Sequence, residues 1–336
     1  MLLVWLLIFI ASLALLVKSA DWVVESSETI ALAFKIAPFI VGVVLVALGT
    51  SLPELVTVLT AVLKGNTAFV VDAAFGSNIA TILLVVGVAA VAGRKLIIKR
   101  SLIDLDAPLL SVSTVMIVLM VWDKQVVFEE GLLLLAGFFV YLLYTYFQRK
   151  GGEEETSEEE EELPSRADRR KTESDKAKAD EPASEEAQIT FKTWLWLIVG
   201  IAGLIIGSNY TVESVEKLGQ LLGVGTSFLT ITAVAVGTSL PELMVAIKAA
   251  LKKQYEMALG NVFGSNVFTI FLIIGVPALV KPLAVDPTTL TVGTAYLVVA
   301  TLLFVFSGIS RKIHIWEGLM YLLIYVLFVV QFFGLF

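Results

Sequence analysis

The chain contains no cysteine among its 336 residues and only one histidine, His314. Disulfides, thiolate metal sites and thiol nucleophiles are therefore excluded. An enzyme that works inside a membrane needs a nucleophile paired with a base, or histidines that bind a metal. One histidine close to the start of a segment, with no cysteine, supplies neither a nucleophile–base pair nor a metal site. We predict that the chain is not an enzyme and needs no cofactor.

Charge is also scarce: 16% of the residues are charged and 57% are hydrophobic, against about 25% and 45–50% in soluble domains. Residues 151–188 hold 15 acidic and 6 basic side chains, a net charge of −9 against −7 for the whole chain. The remainder is close to neutral, so the acidic balance describes one segment. This distribution implies the lipid bilayer as a partner, and it implies neither a nucleic acid nor a protein partner.

Long apolar runs dominate the rest of the sequence. Ten of them approach the ~20 residues that a helix needs to cross a bilayer. Only helices and closed barrels satisfy the backbone in lipid, and runs such as Leu132–Leu135 do not alternate as barrel strands do. The fold class predicted is an all-α polytopic membrane protein. The segments lie at about 2–33, 38–64, 67–92, 104–122, 126–148, 191–220, 224–251, 255–279, 286–307 and 314–335.

The acidic segment divides the chain into three regions. Residues 1–150 and 189–336 each contain five predicted helices, and residues 151–188, with Glu158–Glu162 unbroken, are too polar to fold and are predicted to be disordered. A solvated tether is the favoured interpretation of this segment, with a regulatory or cation-sensing loop as the alternative. Basic residues cluster on one side of the predicted helices, which places the acidic loop in the cytoplasm and both termini outside.

One phrase occurs in both halves. Ala47–Leu55 reads Ala-Leu-Gly-Thr-Ser-Leu-Pro-Glu-Leu, and Ala235–Leu243 differs from it only by Val in place of the first Leu. The same offset of 188 residues carries Phe75–Asn78 onto Phe263–Asn266, both Phe-Gly-Ser-Asn. Since five crossings per half is an odd number, the second half enters the membrane from the opposite side. The sequence therefore predicts ten helices as two inverted five-helix repeats, an architecture of secondary transporters.

The repeated phrase places a carboxylate inside an apolar helix. Each buried glutamate costs about 2.5 kcal/mol or more at the bilayer centre, which favours a functional role for Glu54 and Glu242. Pro53 and Pro241 interrupt helical hydrogen bonding, so carbonyls near Ala47 and Ala235 are expected to be free. The Ser and Thr residues can also be explained as small packing positions between helices. The other candidate ligands are Thr50, Ser51, Ser77, Asn78 and Thr81 in the first half, and Thr238, Ser239, Ser265, Asn266 and Thr269 in the second.

The metal-binding atoms of this set are all oxygens, and the set contains no sulfur and no imidazole. Such a set suits Na⁺, K⁺, Mg²⁺ or Ca²⁺ and argues against zinc or copper. Two facing carboxylates neutralise one divalent ion, or they accept monovalent ions or protons instead. On this chemistry alone the identity of the cation stays open.

The doubled Gly-Thr-Ser-Leu-Pro-Glu with Gly-Ser-Asn resembles the two alpha repeats of the sodium/calcium exchanger family, within the cation/calcium antiporters. The resemblance covers nearly the whole chain. It implies exchange of Na⁺ and Ca²⁺ at one midplane cluster, and a first and sixth helix that slide across the core. By resemblance, the ligands are Glu54, Glu242, Thr50, Thr238, Ser51, Ser239, Ser77, Ser265 and the carbonyls of Ala47 and Ala235.

Two departures from the family pattern affect the predicted selectivity. Relatives often carry Asn or Asp where this chain has Thr81 and Thr269, and the first half has Asp72-Ala73 where the second has Gly260-Asn261. Asp72 is interpreted as a residue near the outer mouth, with a displaced ligand as the alternative. The function predicted is sodium/calcium exchange by alternating access across the cell membrane. The alternatives are a divalent cation/proton exchanger, a sodium/magnesium exchanger and, less favoured, a channel.

Overall fold

The structure is a computed structural model that describes residues 2–34, 38–98, 107–158, 190–221, 239–332 and 334. Nearly all of these residues are helical, as the apolar runs predict. Eight helices are long and apolar enough to cross a membrane, and a ninth apolar helix, Ala107–Asp123, is shorter. The seventh predicted segment is described only from Ser239 onward, because residues 222–238 lie outside the described part. The chain is an integral membrane protein.

The helices of the first half follow the predicted segments closely. Their bounds are α1 (Leu2–Phe34), α2 (Pro38–Val41), a π-helical stretch (Gly42–Ala47), α3 (Leu48–Leu63), α4 (Ala68–Ile79), a second π-helical stretch (Ala80–Val85), α5 (Val86–Ala92), α6 (Ala107–Met120), a 3₁₀ turn (Val121–Asp123) and α7 (Phe128–Glu158).

The helices of the second half repeat this order. Their bounds are α8 (Phe191–Leu221), α9 (Leu240–Leu251), α10 (Tyr255–Phe268), a π-helical stretch (Thr269–Ile274), α11 (Gly275–Ala278), another π-helical stretch (Thr289–Gly293), α12 (Thr294–Ile309) and α13 (Ile315–Phe332).

One boundary differs clearly from the prediction. Helix α7 continues to Glu158, so the first eight residues of the segment expected to be disordered, 151–158, are helical. Glutamate is a good helix former, and Glu153–Glu155 follow an apolar helix that is already formed, so no new nucleus is needed. Residues 159–189 lie outside the described part, and the prediction of disorder for them stays a prediction.

Two short antiparallel ribbons occur that the all-helical prediction did not include. Strand β1 (Lys95–Ile97) pairs with β4 (Lys312–His314), and β2 (Gln125–Val126) pairs with β3 (Leu283–Ala284). The ribbons form where loops from the two halves meet. Because β3 precedes the span Thr289–Ile309 and β4 follows it, the two ribbons lie at opposite ends of that span.

Burial separates a central group of helices from an outer pair. The spans Ala68–Ala92 and Tyr255–Ala278 are mostly buried within the protein, whereas α1 exposes most of its apolar surface. Helices α1 and α8 pack along each other. Their backbones come close at glycines, since a Cβ on Gly200 would lie 3.1 Å from the Ser19 carbonyl oxygen. Lipid contact accounts for the many exposed apolar side chains.

Candidate functional site

The site lies where α3 and α4 of the first half meet α9 and α10 of the second. Close backbone contact brings these helices together. A Cβ on Gly264 would lie 2.7 Å from the Ala47 Cβ and 2.9 Å from the Val43 carbonyl oxygen, so only glycine fits there. Gly42 makes an equally close approach, since a Cβ on it would lie 2.7 Å from the Met257 carbonyl oxygen. Small residues thus let the two halves share one buried polar cluster.

The first repeated phrase lies inside a helix that starts with a π-helical stretch. Thr50 is buried, and its Oγ1 donates to the carbonyl oxygens of Val46 (3.1 Å) and Ala47 (3.2 Å). The Ala47 carbonyl, which was predicted to be free of helical hydrogen bonding, accepts this hydrogen bond from a side chain. Threonine hydroxyls commonly bond back to the preceding turn of a helix.

The two glutamates point into the same buried region. Ser77 Oγ donates to Glu54 Oε2 over a long 3.5 Å. Glu242 is 3% exposed, and its carboxylate is close enough to Thr50 and to Glu54 for electrostatic interaction. The structure thus places one carboxylate from each half in this region.

The buried oxygens around these glutamates lack partners. Within the described residues, seven predicted site residues have a buried side-chain oxygen with no hydrogen bond. These are Ser51 Oγ, Glu54 Oε1, Asn78 Oδ1, Ser239 Oγ, Glu242 Oε2, Asn266 Oδ1 and Thr269 Oγ1. A buried polar atom without a partner costs about 1–3 kcal/mol. A group of such oxygens on adjoining helices is the arrangement that a hard cation stabilises.

The remaining predicted residues divide into two groups. Thr81 and Ser265 are buried on the helices of the site, each 1% exposed. Asn266 Nδ2 donates to the Val262 carbonyl at 2.8 Å, which directs its amide oxygen away from that carbonyl. Ala235 and Thr238 lie outside the described residues, so their predicted roles stay predictions.

Asn261 was missed by the sequence reasoning. Its Nδ2 donates to the Glu242 backbone carbonyl at 3.2 Å, and its Oδ1 is buried without a partner in the described part of the chain. The signal was present, because Asn261 is a position where the halves differ, with Ala73 as its counterpart. A polar residue present in only one copy of a repeat has a role specific to that copy.

Asp72 belongs to a different contact. Its Oδ1 accepts a 2.6 Å hydrogen bond from Thr289 Oγ1. Thr67, just before α4, accepts a hydrogen bond at its Oγ1 from the Ala284 amide of the β2–β3 ribbon, at 3.4 Å. Asp72 therefore lies toward that ribbon and one end of the helices. This position favours the mouth interpretation over a displaced ligand.

These features define a class of membrane protein: apolar helices that enclose a cluster of buried polar oxygens. Residues 4–147 and 192–334 match the profile of the sodium/calcium exchanger protein family. The chain belongs to this family of cation/calcium antiporters.

Individual relatives agree with this assignment. The sodium/calcium exchanger MaX1 of Methanosarcina acetivorans is 31% identical, over 97% of this chain and 98% of the relative. The putative antiporter CaxA of Alkalimonas amylolytica is 29% identical, over 94% and 95%. Among solved structures, the sodium–calcium exchanger NCX_Mj superposes with a TM-score of 0.78 at 27% identity, covering 97% of this chain and 98% of that one.

Proposed function

We propose that the chain is a secondary active antiporter that exchanges Na⁺ for Ca²⁺ at the two-glutamate site by alternating access. The observation that carries this proposal is the group of buried oxygens without partners, contributed by both halves. Two carboxylates match the charge of one Ca²⁺, and hydroxyl and amide oxygens can complete its coordination. The same oxygens suit Na⁺, so the two ions can compete for one site.

The ribbons support an inverted ten-helix repeat. Adding the offset of 188 residues carries β1 (Lys95–Ile97) onto residues 283–285, which overlap β3, and β2 (Gln125–Val126) onto residues 313–314 of β4. The β1–β4 ribbon thus corresponds to the β3–β2 ribbon. Because the two ribbons lie at opposite ends of the span Thr289–Ile309, equivalent elements of the two halves lie at opposite ends of that span. This is the relation that inverted repeats require.

The proposal includes the orientation and the compartment. The basic residues that flank the helices favour a cell-membrane protein with both termini outside and the acidic segment in the cytoplasm. In this orientation Asp72 lies near the outer mouth, where a carboxylate raises the local concentration of cations.

The test is ⁴⁵Ca²⁺ uptake into proteoliposomes with an imposed Na⁺, K⁺ or proton gradient. We expect Na⁺-driven uptake in the wild type and none in Glu54→Gln or Glu242→Gln, since one carboxylate leaves a divalent ion poorly compensated in a low-dielectric site. Glu129→Gln is the matched control, because Glu129 is exposed at the start of α7. Normal flux in either site variant would contradict the two-glutamate site. Uptake driven only by protons would show that H⁺ is exchanged in place of Na⁺. Transport of Mg²⁺ and not of Ca²⁺ would show that Mg²⁺ is the divalent ion exchanged.

A further inference from the structure

Two acidic and two basic residues occupy equivalent positions in the two halves. The offset of 188 residues carries Glu25 of α1 onto Glu213 of α8, and it carries Lys64, after α3, onto Lys252, after α9. Glu25 and Lys252 form an ion pair, with 2.9 Å between Oε1 and Nζ. Lys64 and Glu213 form no ion pair within the described residues, and both are exposed. The contact is therefore made at one of its two equivalent positions, although both positions carry the charges.

The two positions lie at opposite ends of the helices. Lys252 lies toward the β1–β4 ribbon, since a Cβ on Gly93, just before that ribbon, would lie 3.3 Å from the Ala250 Cβ. Lys64 lies toward the β2–β3 ribbon, which donates a backbone hydrogen bond to Thr67. Because the two ribbons lie at opposite ends of one membrane span, the formed ion pair and its unformed equivalent are separated by the length of that span.

The neighbouring helical turn shows the same asymmetry. Lys248 of α9 forms an ion pair with Asp21 of α1 at 3.1 Å, and the two side chains are only 21% and 24% exposed. The equivalent residues are Thr60 of α3 and Asn209 of α8, and both are exposed. The face between α1 and α9 is therefore closed by two ion pairs. The equivalent face between α3 and α8 leaves its polar side chains exposed.

An inverted repeat gives this asymmetry a direct consequence. When its two halves exchange conformations, a state that opens to one side of the membrane becomes the state that opens to the other. The exchange would bring Lys64 to Glu213 and would separate Glu25 from Lys252. Opposite charges at both positions are expected if each contact is made in one of the two states.

We propose that Lys64 and Glu213 form an ion pair in the state that opens to the opposite side of the membrane, and that this pair alternates with Glu25–Lys252 during transport. The proposal rests on the alternating access and the inverted repeat of the proposed function. The side chains of Glu25 and Lys252 are 62% and 32% exposed. Ion pairs at such water-accessible positions are weak, so each pair can break and form again in every transport cycle.

Cysteine cross-linking tests the proposal without background, because the chain has no cysteine of its own. The variants Glu25→Cys/Lys252→Cys and Lys64→Cys/Glu213→Cys are treated with a short bifunctional methanethiosulfonate, and the products are identified by intact mass spectrometry. We expect a cross-link in both variants, and each cross-link should stop Na⁺-driven ⁴⁵Ca²⁺ uptake until a reducing agent is added. In the four single-cysteine variants, the controls, the reagent should leave uptake at its untreated value.

Two outcomes of this experiment would overturn the proposal. One is that positions 64 and 213 are never cross-linked, and the other is that their cross-link leaves uptake unchanged. Wild-type uptake is measured alongside, because its absence would contradict the proposed function itself. Normal wild-type uptake without the cross-link between positions 64 and 213 would contradict the ion pair alone.

A variant with all four cysteine substitutions tests the alternation. Since the two contacts belong to different states, one cross-link should exclude the other. Each molecule should therefore carry one cross-link of the two, and the doubly cross-linked mass should be absent. Molecules that carry both cross-links would show that the two contacts exist together, which contradicts alternation.

Charge reversal avoids dependence on the cysteine variants. Lys64→Glu would place two carboxylates together in the opposite state, so we expect uptake to be up to about fivefold slower, the upper factor for an ion pair at a water-accessible position. Adding Glu213→Lys should restore the rate. The melting temperature should stay the same in both variants, since neither residue has an ion pair to lose in the described structure.

Lys124→Glu is the matched control for this reversal. Lys124 is an exposed lysine beside the same β2–β3 ribbon, so its reversal changes the charge at that end without touching the proposed pair. We expect Glu213→Lys to give no rescue of Lys124→Glu. Losses that simply add in Lys64→Glu/Glu213→Lys, or an equal rescue of both lysine variants, would overturn the proposal.

Discussion

The two copies of the Gly-Thr-Ser-Leu-Pro-Glu phrase place their glutamates in different surroundings. In the first half, Glu54 lies within α3, well after its start at Leu48, and among the described residues its carboxylate receives only the long hydrogen bond from Ser77. In the second half, Glu242 lies in the first turn of α9 and its backbone carbonyl is held by Asn261. The duplication thus repeats the candidate ligands, whereas the residues that contact them have diverged.

The divergence extends to the outer helix. Lys248 and Lys252 of α9 form ion pairs with Asp21 and Glu25 of α1, at 3.1 and 2.9 Å. The position equivalent to Lys248 in the first half is Thr60, whose hydroxyl bonds the Val56 carbonyl of its own helix at 2.8 Å. Equivalent substitutions in the two halves should therefore have unequal effects.

The largest effect is expected from disturbing the contact that places the first motif helix. Gly264→Ala puts a methyl group against backbone atoms of Val43, and overpacking of this kind costs about 1–3 kcal/mol. We expect a lower melting temperature and loss of most ion exchange, measured by thermal unfolding in detergent and by ⁴⁵Ca²⁺ flux.

Gly293→Ala is the control for this substitution. Its added Cβ would meet the Thr289 Cγ2 at 3.3 Å and the Phe75 Cδ2 at 3.4 Å, which are side-chain atoms at a distance that a small shift relieves. A melting temperature lowered equally by both substitutions would show that the contact between α10 and the π-helical stretch Gly42–Ala47 is no tighter than the one at Gly293.

A smaller effect, specific to the second half, is expected from Asn261→Ala. The change removes the donor to the Glu242 carbonyl and makes the second half resemble the first, which has Ala73. Loss of a partner for a buried carbonyl costs about 1–3 kcal/mol, and Glu242 becomes less well positioned. We expect weaker apparent Ca²⁺ affinity in flux titrations, and no such loss in Ala73→Ser. Unchanged affinity in Asn261→Ala would show that the asymmetry has no consequence for ion binding.

Much of this comparison was accessible from the sequence. The repeat, its offset and the two glutamates follow from identical phrases in long apolar runs, where composition leaves few alternatives. The contacts of Asn261 with Glu242 and of Asp72 with Thr289 were not accessible, because they depend on how helices distant in sequence rotate against each other. The sequence also did not predict that the Thr50 hydroxyl would donate a hydrogen bond to the Ala47 carbonyl. A threonine hydroxyl can bond to its own helix or to a ligand, and the sequence does not decide between the two.

A modest effect is expected from Ser77→Ala. The hydrogen bond from Ser77 to Glu54 measures 3.5 Å, at the limit for such a bond, so its loss alone should change stability little. If Ser77 is a cation ligand, apparent Ca²⁺ affinity falls while the melting temperature stays the same. Ser265→Ala, at the equivalent buried position, should likewise lower the apparent Ca²⁺ affinity and leave the melting temperature the same. A fall in melting temperature without a change in affinity would assign both serines to helix packing.

The smallest effect is expected from the ion pairs between α1 and α9, and the two pairs should differ. In the Lys248–Asp21 pair the side chains are 21% and 24% exposed, whereas in the Lys252–Glu25 pair they are 32% and 62% exposed. Ion pairs at water-accessible positions contribute about 0–1 kcal/mol and weaken with salt. Asp21→Asn should therefore lower the melting temperature slightly at low ionic strength, and Glu25→Gln by less. Both differences should shrink in high salt, measured by thermal unfolding across a choline chloride series, which raises the ionic strength without adding Na⁺. A larger effect from Glu25→Gln, or one that salt does not reduce, would show that these side chains act through packing and not through charge.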